Sequence, residues 1–268
     1  FTERSAAEIS DLELEQIDLC WSLGKGLAMT DSMSGAFFES RAMSLALRAG
    51  EPSRIARSFG MEACFTAAQS GAVTKRAKEL VAATEQIAQR IEDPYTSAWV
   101  KIAEASVAAF SGRWLEGRRG FEEARRHLRE RCTGVSWELI NCHTGLTECL
   151  LYLGELAEFE REVSLALREE WDRGNLYALT VNRLGNSNSI WLMRGDPKTA
   201  QREADDAIES WSSPGFHSEH FYYLLAASRI HLYNGEAHSA RELLENHWGE
   251  LKRSHLLDLA VTRIPMLE

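Results

Sequence analysis

Apolar residues recur at helical spacing along almost the whole chain, and glycine interrupts them at even intervals. Before Gly154 they stand at Trp137, Leu139, Ile140, Leu146, Leu150, Leu151 and Leu153; after it they stand at Leu156, Phe159, Val163, Leu165, Ala166 and Leu167. Each run predicts an amphipathic helix of about four to five turns, and the glycine between them permits the left-handed cap that ends a helix tightly. Equivalent glycines stand at Gly71, Gly112, Gly195 and Gly235, so that from Gly71 onward the intervals are 41, 42, 41 and 40 residues. A second set of breaks recurs at about the same spacing: Gly50-Glu-Pro52, Glu92-Asp-Pro94, Thr133-Gly134, Gly174-Asn175, Pro214-Gly215 and Ser254. Proline just inside a helix start suits a position where no N–H is needed.

The two sets of breaks predict paired helices at 10–29 and 34–49, 52–70 and 73–91, 94–111 and 113–131, 135–153 and 155–172, 175–194 and 197–212, and 216–234 and 236–253. The first turn falls near Thr30-Asp31, and a thirteenth helix starts at 255. A helical hairpin repeated in this way buries its apolar face only against its neighbours. The expected fold is therefore all-α: a tetratricopeptide-like α-solenoid, a right-handed superhelix of about six helical hairpins with a period near 41 residues. Ala200 and Ala240, each five residues after its glycine, and then Ala204 and Ala207, predict close helix packing. Phe110, Tyr152, Met193 and Tyr233, each two before its glycine, are expected in the core between helices. With no linker or low-complexity stretch, residues 1–268 read as a single continuous domain. The opening Phe1-Thr-Glu-Arg-Ser has no Met and no signal-peptide pattern, so the chain reads as a fragment of a longer protein.

Composition narrows the partners. The net charge of −10 opposes non-specific binding to nucleic acid or to an anionic membrane. No run of about 18 apolar residues predicts a membrane span. The five cysteines sit inside helical patterns and read as free thiols in a reducing compartment, which points to the cytoplasm. Phosphate-binding, nucleophile-elbow and zinc-protease motifs are missing, as is any Cys-x-x-Cys pair, so no cofactor, no metal and no catalytic constellation is expected. His217 and His220 have a spacing that could serve a metal, but two ligands rarely suffice and they read as ordinary histidines. The arginine-rich helix from Arg113 to Arg131 also carries Glu116, Glu122, Glu123 and Glu130, and reads as a solvated, ion-paired face.

In stacked hairpins the first helix of each pair usually lines the inner wall. Aligned on the turn glycine, position −13 holds Ser58, Trp99, Asn141, Asn182 and Tyr222. Position −9 holds Glu62, Ala103, Gly145, Asn186 and Ala226, and position −6 holds Phe65, Ser106, Glu148, Ser189 and Arg229. Offsets of four and three share one helix face. Asn182, Asn186 and Ser189, with Asn188 nearby, make a polar stripe whose amides suit an extended peptide backbone. Trp99 and Tyr222 add contact area, and Glu148 and Arg229 add charge for fixing an end. The candidate ligand face thus comprises Trp99, Asn141, Glu148, Asn182, Asn186, Ser189, Tyr222 and Arg229; the plainer reading is that the amides hydrate an open groove or bridge neighbouring helices.

The stretches IDLCWSLGKGLAMTDSMSGAFFESRAMSLALRAGEPSRIARSFGMEA, LRERCTGVSWELINCHTGLTECLLYLGEL and SPGFHSEHFYYLLAASRIHLYNGE resemble the C-terminal helical-repeat region of large bacterial serine/threonine kinases. In those proteins, of planctomycete and myxobacterial type, a kinase domain and a signal-transduction ATPase domain precede the repeats. The resemblance covers nearly the whole chain and carries no catalytic motif. It implies a non-catalytic protein-interaction and sensor module that binds a peptide or protein partner, including the adjacent domains of its own full-length protein. The alternatives are a small-molecule receptor domain regulating an attached ATPase or kinase, and a self-associating scaffold.

Overall fold

Chain-local chemistry sets the helix starts. In the computed structural model, which describes residues 1–28, 31–211 and 215–263, α1 (Asp11–Leu27) opens on a capping box between Ser10 and Glu13. The side chains of Asp31, Glu51, Thr74 and Asp93 each accept backbone N–H groups at the starts of α2 (Ser32–Ala49), α3 (Pro52–Ser70), α4 (Lys75–Ile91) and α5 (Pro94–Ala109). These acceptors satisfy donors that a helix start otherwise leaves unpaired. The chain continues through α6 (Trp114–Arg131), α7 (Ser136–Tyr152), α8 (Leu156–Arg173), α9 (Leu176–Arg183) and α10 (Ser189–Met193). It ends with α11 (Pro197–Ser210), α12 (Ser218–Tyr233), α13 (Ala237–Arg253), a short 3₁₀ turn and α14 (Ala260–Arg263). Thr30 of the first predicted turn, Pro214 of a predicted break and residues 264–268 of the predicted thirteenth helix lie outside the described residues.

The turn glycines do what the pattern asks of them. Gly71, Gly112, Gly154, Gly195 and Gly235 all have φ between 63° and 78°, the left-handed region. At four of these turns the residue after the glycine donates to a carbonyl five residues back: Arg113 to Ala108, Glu155 to Leu150, Asp196 to Trp191 and Glu236 to His231. This closure uses carbonyls that the helix end leaves free.

The fold is all-α, and among the described residues no strand occurs. Helices pack against their chain neighbours and next-but-one neighbours, as in an α-solenoid. Contact density divides the chain into two compact units, residues 1–146 and 147–268. In the first, α1 packs on α2, α2 on α3, α3 on α4, α4 on α5 and α5 on α6, and α3 also packs on α5. In the second, α11 packs on α9, α10 and α12, and α12 on α13. Small residues make the close approaches: Ala200, Ala204, Ala207 and Ala240 are buried, as their spacing predicts. Of the large residues two before each glycine, Phe110 packs against the core cluster of Ala63, Ala67, Ala103 and Val107 and Tyr152 is half-buried, whereas Met193 and Tyr233, expected in the core, are exposed.

The largest departure from the predicted elements lies at 175–194, expected as one helix. It is two, α9 and α10, separated by an irregular segment at 184–188. Gly185 takes φ 53° and its N–H donates to the Tyr222 carbonyl at 3.0 Å. A Cβ at Gly185 would stand 3.0 Å from Tyr222 Cδ1, so glycine is needed both for the backbone angle and for the approach to α12. The buried amide of Asn188 then holds the break shut, its Nδ2 donating to the carbonyls of Arg183 and Ala200, each at 2.9 Å. Asn188→Ala leaves both carbonyls without that donor and is expected to cost about 2 kcal/mol in urea unfolding. A change below a few tenths of that amount shows that the break is held by other contacts.

Candidate functional site

In the second unit the structure brings four of the sequence-selected residues together. Arg229 on α12 donates from Nη1 to Asn186 Oδ1 at 2.6 Å, across the α9–α10 break. Tyr222 lies two turns earlier on α12 and carries the backbone contact to Gly185. Glu148 on α7 is held under the field of Arg229. Burial pushes the Glu148 carboxyl up to about 7, and the Arg229 guanidinium opposes that rise without cancelling it. All four side chains are half-buried, so they combine a low-dielectric setting with access from the surface.

A second acid deepens this cluster. Glu219 in the first turn of α12 is fully buried, and neither carboxyl oxygen has a hydrogen-bond partner. Burial raises it to about 7 as well. The Tyr222 hydroxyl is driven well above its ordinary range by burial and then by Glu148 and Glu219. Tyr177 on α9 is raised by burial and then by Tyr222 and Glu219. Two carboxyls near neutrality, two raised phenols and one guanidinium therefore share one side of the second unit. This set offers both hydrogen-bond donors and acceptors at neutral pH.

The remaining candidates sit differently. Asn182 is only 3% exposed, and its Nδ2 donates back to the Ala178 carbonyl at 2.9 Å, which removes the amide from the open stripe expected for it. Ser189 begins α10 and lies beyond the break, so it does not continue the face of Asn182. The polar stripe fails because one continuous helix was needed to align it. Trp99 and Asn141 belong to the first unit. Trp99 is 1% exposed and packs in the core rather than on an open wall. Asn141 turns its Nδ2 to the Trp137 carbonyl of its own helix, at 2.8 Å.

The alignment by turn glycines passes over an ionic and aromatic cluster in the first unit. Lys25 Nζ on α1 donates to Glu138 Oε1 on α7 at 2.7 Å, and the Tyr95 hydroxyl on α5 donates to the same oxygen at 2.7 Å. Trp21 meets Trp99 edge to face at 5.2 Å, and the Arg57 guanidinium lies 4.9 Å from the Trp21 ring centroid. Arg54 and Arg57 both pair with Asp18; burial pulls that carboxyl upward, but the two hydrogen bonds outweigh it and hold it below the ordinary range. The available signal was the i,i+4 pairing of Trp21 with Lys25 and of Tyr95 with Trp99.

The two histidines at the start of α12, His217 as its N-cap and His220 in its first turn, bond locally: His217 N–H donates to His220 Nδ1 at 3.0 Å, and Trp211 Nε1 donates to His217 Nδ1 at 3.4 Å. Among the described residues no group of three or more His, Cys, Asp or Glu is placed to hold a metal ion, and no helix is long and apolar enough to cross a membrane. Along α6 and its N-cap, Arg113 pairs with Glu116, Arg118 with Glu122 and Arg126 with Glu123. No family model matches the chain, and a search of curated proteins finds no match.

Proposed function

We propose that the chain is a non-catalytic recognition module of a larger bacterial, cytoplasmic signalling protein, and that its second unit binds a peptide segment of a protein partner. The observation that carries this reading is the Arg229–Asn186 clamp at the α9–α10 break, flanked by half-buried Glu148 and Tyr222. A guanidinium and an amide side by side suit a peptide carbonyl or a terminal carboxylate. The all-helical stacking supports a surface for a partner, and the net charge of −10 disfavours nucleic acid and anionic membrane.

A small-molecule ligand is the second reading, favoured by Glu219, whose buried carboxyl has both oxygens unpartnered beside the tyrosines. One selection separates the two. A random peptide library is selected on the chain, and the affinity of the winning peptides is compared for wild type and an Asn186→Ala/Arg229→Ala variant. About tenfold weaker binding by the variant, with an unchanged thermal melt, supports the peptide reading. Equal affinity rejects the clamp as the site. An empty peptide selection, together with a thermal shift from a metabolite panel that vanishes in Glu219→Gln, moves the assignment to the small-molecule reading.

A further inference from the structure

The Lys25 ammonium in the first unit is surrounded as a bound ligand is surrounded. Its Nζ lies 5.5 Å from the ring centroid of Trp21 and 5.5 Å from that of Trp137. Its charge is met by Glu138 Oε1 at 2.7 Å. Two indole faces and a carboxylate form the arrangement that aromatic cages use for ammonium groups. The cage is assembled from α1 and the first turn of α7, residues separated by more than a hundred positions in the chain.

Three observations distinguish this from a simple structural ion pair. First, the Trp21 wall and the Glu138 floor are held by partners other than Lys25. Trp21 is braced edge to face by Trp99 and by the Arg57 guanidinium, and Glu138 is held by the Tyr95 hydroxyl. A cage fixed independently of its occupant is pre-organised. Second, Glu138 is 1% exposed while the Lys25 side chain is 18% exposed, so the floor is closed and the lysine stem marks the open side. A swing of that flexible four-carbon stem vacates the cage without moving a helix. Third, the donors fall short: Glu138 Oε2 is buried with no partner, although Oε1 takes two. The carboxylate keeps one acceptor oxygen for a group that brings several N–H donors.

We infer that Trp21, Trp137 and Glu138 form a binding site for a primary alkylammonium group, that Lys25 occupies it as an internal stand-in, and that the lysine side chain of a polypeptide enters by displacing Lys25. The chemistry selects a primary amine over a quaternary one. A trimethylated nitrogen keeps the attraction to the rings but donates nothing to a buried carboxylate that needs donors. Exchange of one ammonium for another gains little, so the wild-type chain binds weakly, and removing the internal competitor reveals the full affinity. This site is independent of the peptide clamp in the second unit, so either assignment stands if the other fails.

The test follows the indole N–H resonances of Trp21 and Trp137 by NMR, assigned through Trp→Phe variants, during titration with n-butylammonium, tetramethylammonium and N-acetyl-lysine methylamide. Lys25→Ala is expected to bind n-butylammonium about tenfold or more tightly than wild type does, with a similar preference over tetramethylammonium. Lys25→Ala/Glu138→Gln is expected to lose the response. A folded Lys25→Ala chain with no saturable shift overturns the site, as does equal binding of both ammonium ions or a response that survives Glu138→Gln. Binding of N-acetyl-lysine methylamide supports the polypeptide source; binding of n-butylammonium alone overturns that source. A second measurement needs no variant. In wild type, acylation of Lys25 read by mass spectrometry is expected to rise as n-butylammonium is added at constant ionic strength. Lys25 labelling that stays flat through the titration overturns the displacement.

Discussion

Glu39→Gln is expected to stabilise the chain at pH 8.5 by on the order of 3–5 kcal/mol and to change it little at pH 5. Glu39 on α2 is 6% exposed and neither of its oxygens has a hydrogen-bond partner. Burial pushes the carboxyl from 4.5 up to about 8, against the opposing charges of Lys25 and Arg57. A Cβ on Gly24 would stand 2.5 Å from Glu39 Oε1, so α1 closes directly over the acid and leaves no room for a solvating shell. Between pH 4.5 and 8 the folded chain keeps the proton that the unfolded chain has released. Unfolding is then favoured as pH rises, and stability falls across that window before levelling above it. Glutamine fills the same volume without a charge to desolvate, so this slope disappears. Glu148 and Glu219, raised to about 7, tilt both proteins in the same sense and cancel in the comparison. The measurement is urea unfolding of both proteins at the two pH values. An identical difference at pH 5 and pH 8.5 shows that Glu39 does not titrate between them.

The reason to bury such an acid is its position. Glu39 lies under the influence of the same two cations that flank Trp21, Lys25 at the cage and Arg57 on the ring. Neutral near pH 7, it does not draw Lys25 away from Glu138; ionised, it competes for that lysine. The proton on Glu39 and the occupant of the cage are thus linked through Lys25.

The helices were legible because their ends are chemical. Proline at 52, 94 and 197, the side-chain caps and the left-handed glycines are local devices, and they place boundaries within a few residues of the observed ones. The site was less legible because a register measured from the turn glycine assumes an unbroken helix. Leu184-Gly185 breaks that register, and the three asparagines around it bond to backbone carbonyls and to Arg229 instead of forming a stripe. Glycine beside asparagine inside a helical run signals such a break, since both favour non-helical geometry. Arg229, Glu148 and Tyr222 survived as neighbours because they lie on helices that keep their register. The Lys25–Glu138 pair was invisible for another reason: it joins residues 113 positions apart, and no local pattern encodes so distant a contact.

Trp99 separates the two views of the inner helices most sharply. Its alignment with Asn141, Asn182 and Tyr222 suggested a ligand-facing ring; the structure packs it edge to face on Trp21 at 5.2 Å and against Tyr95 at 6.4 Å. Gly60 on α3 admits the ring, since a Cβ there would stand 3.3 Å from Trp99 Cε3. Trp99→Ala removes the brace shared by α1, α3 and α5 and is expected to cost about 3–5 kcal/mol, enough to unfold much of a marginally stable unit. Trp99→Phe keeps an aromatic edge against Trp21 and is expected to cost less than half as much. A residue that served only an open groove predicts the opposite: near-neutral stability for both variants. Urea unfolding followed by circular dichroism decides between them. A loss below about 1 kcal/mol for Trp99→Ala returns Trp99 to the surface and removes the brace on which the Lys25 cage depends.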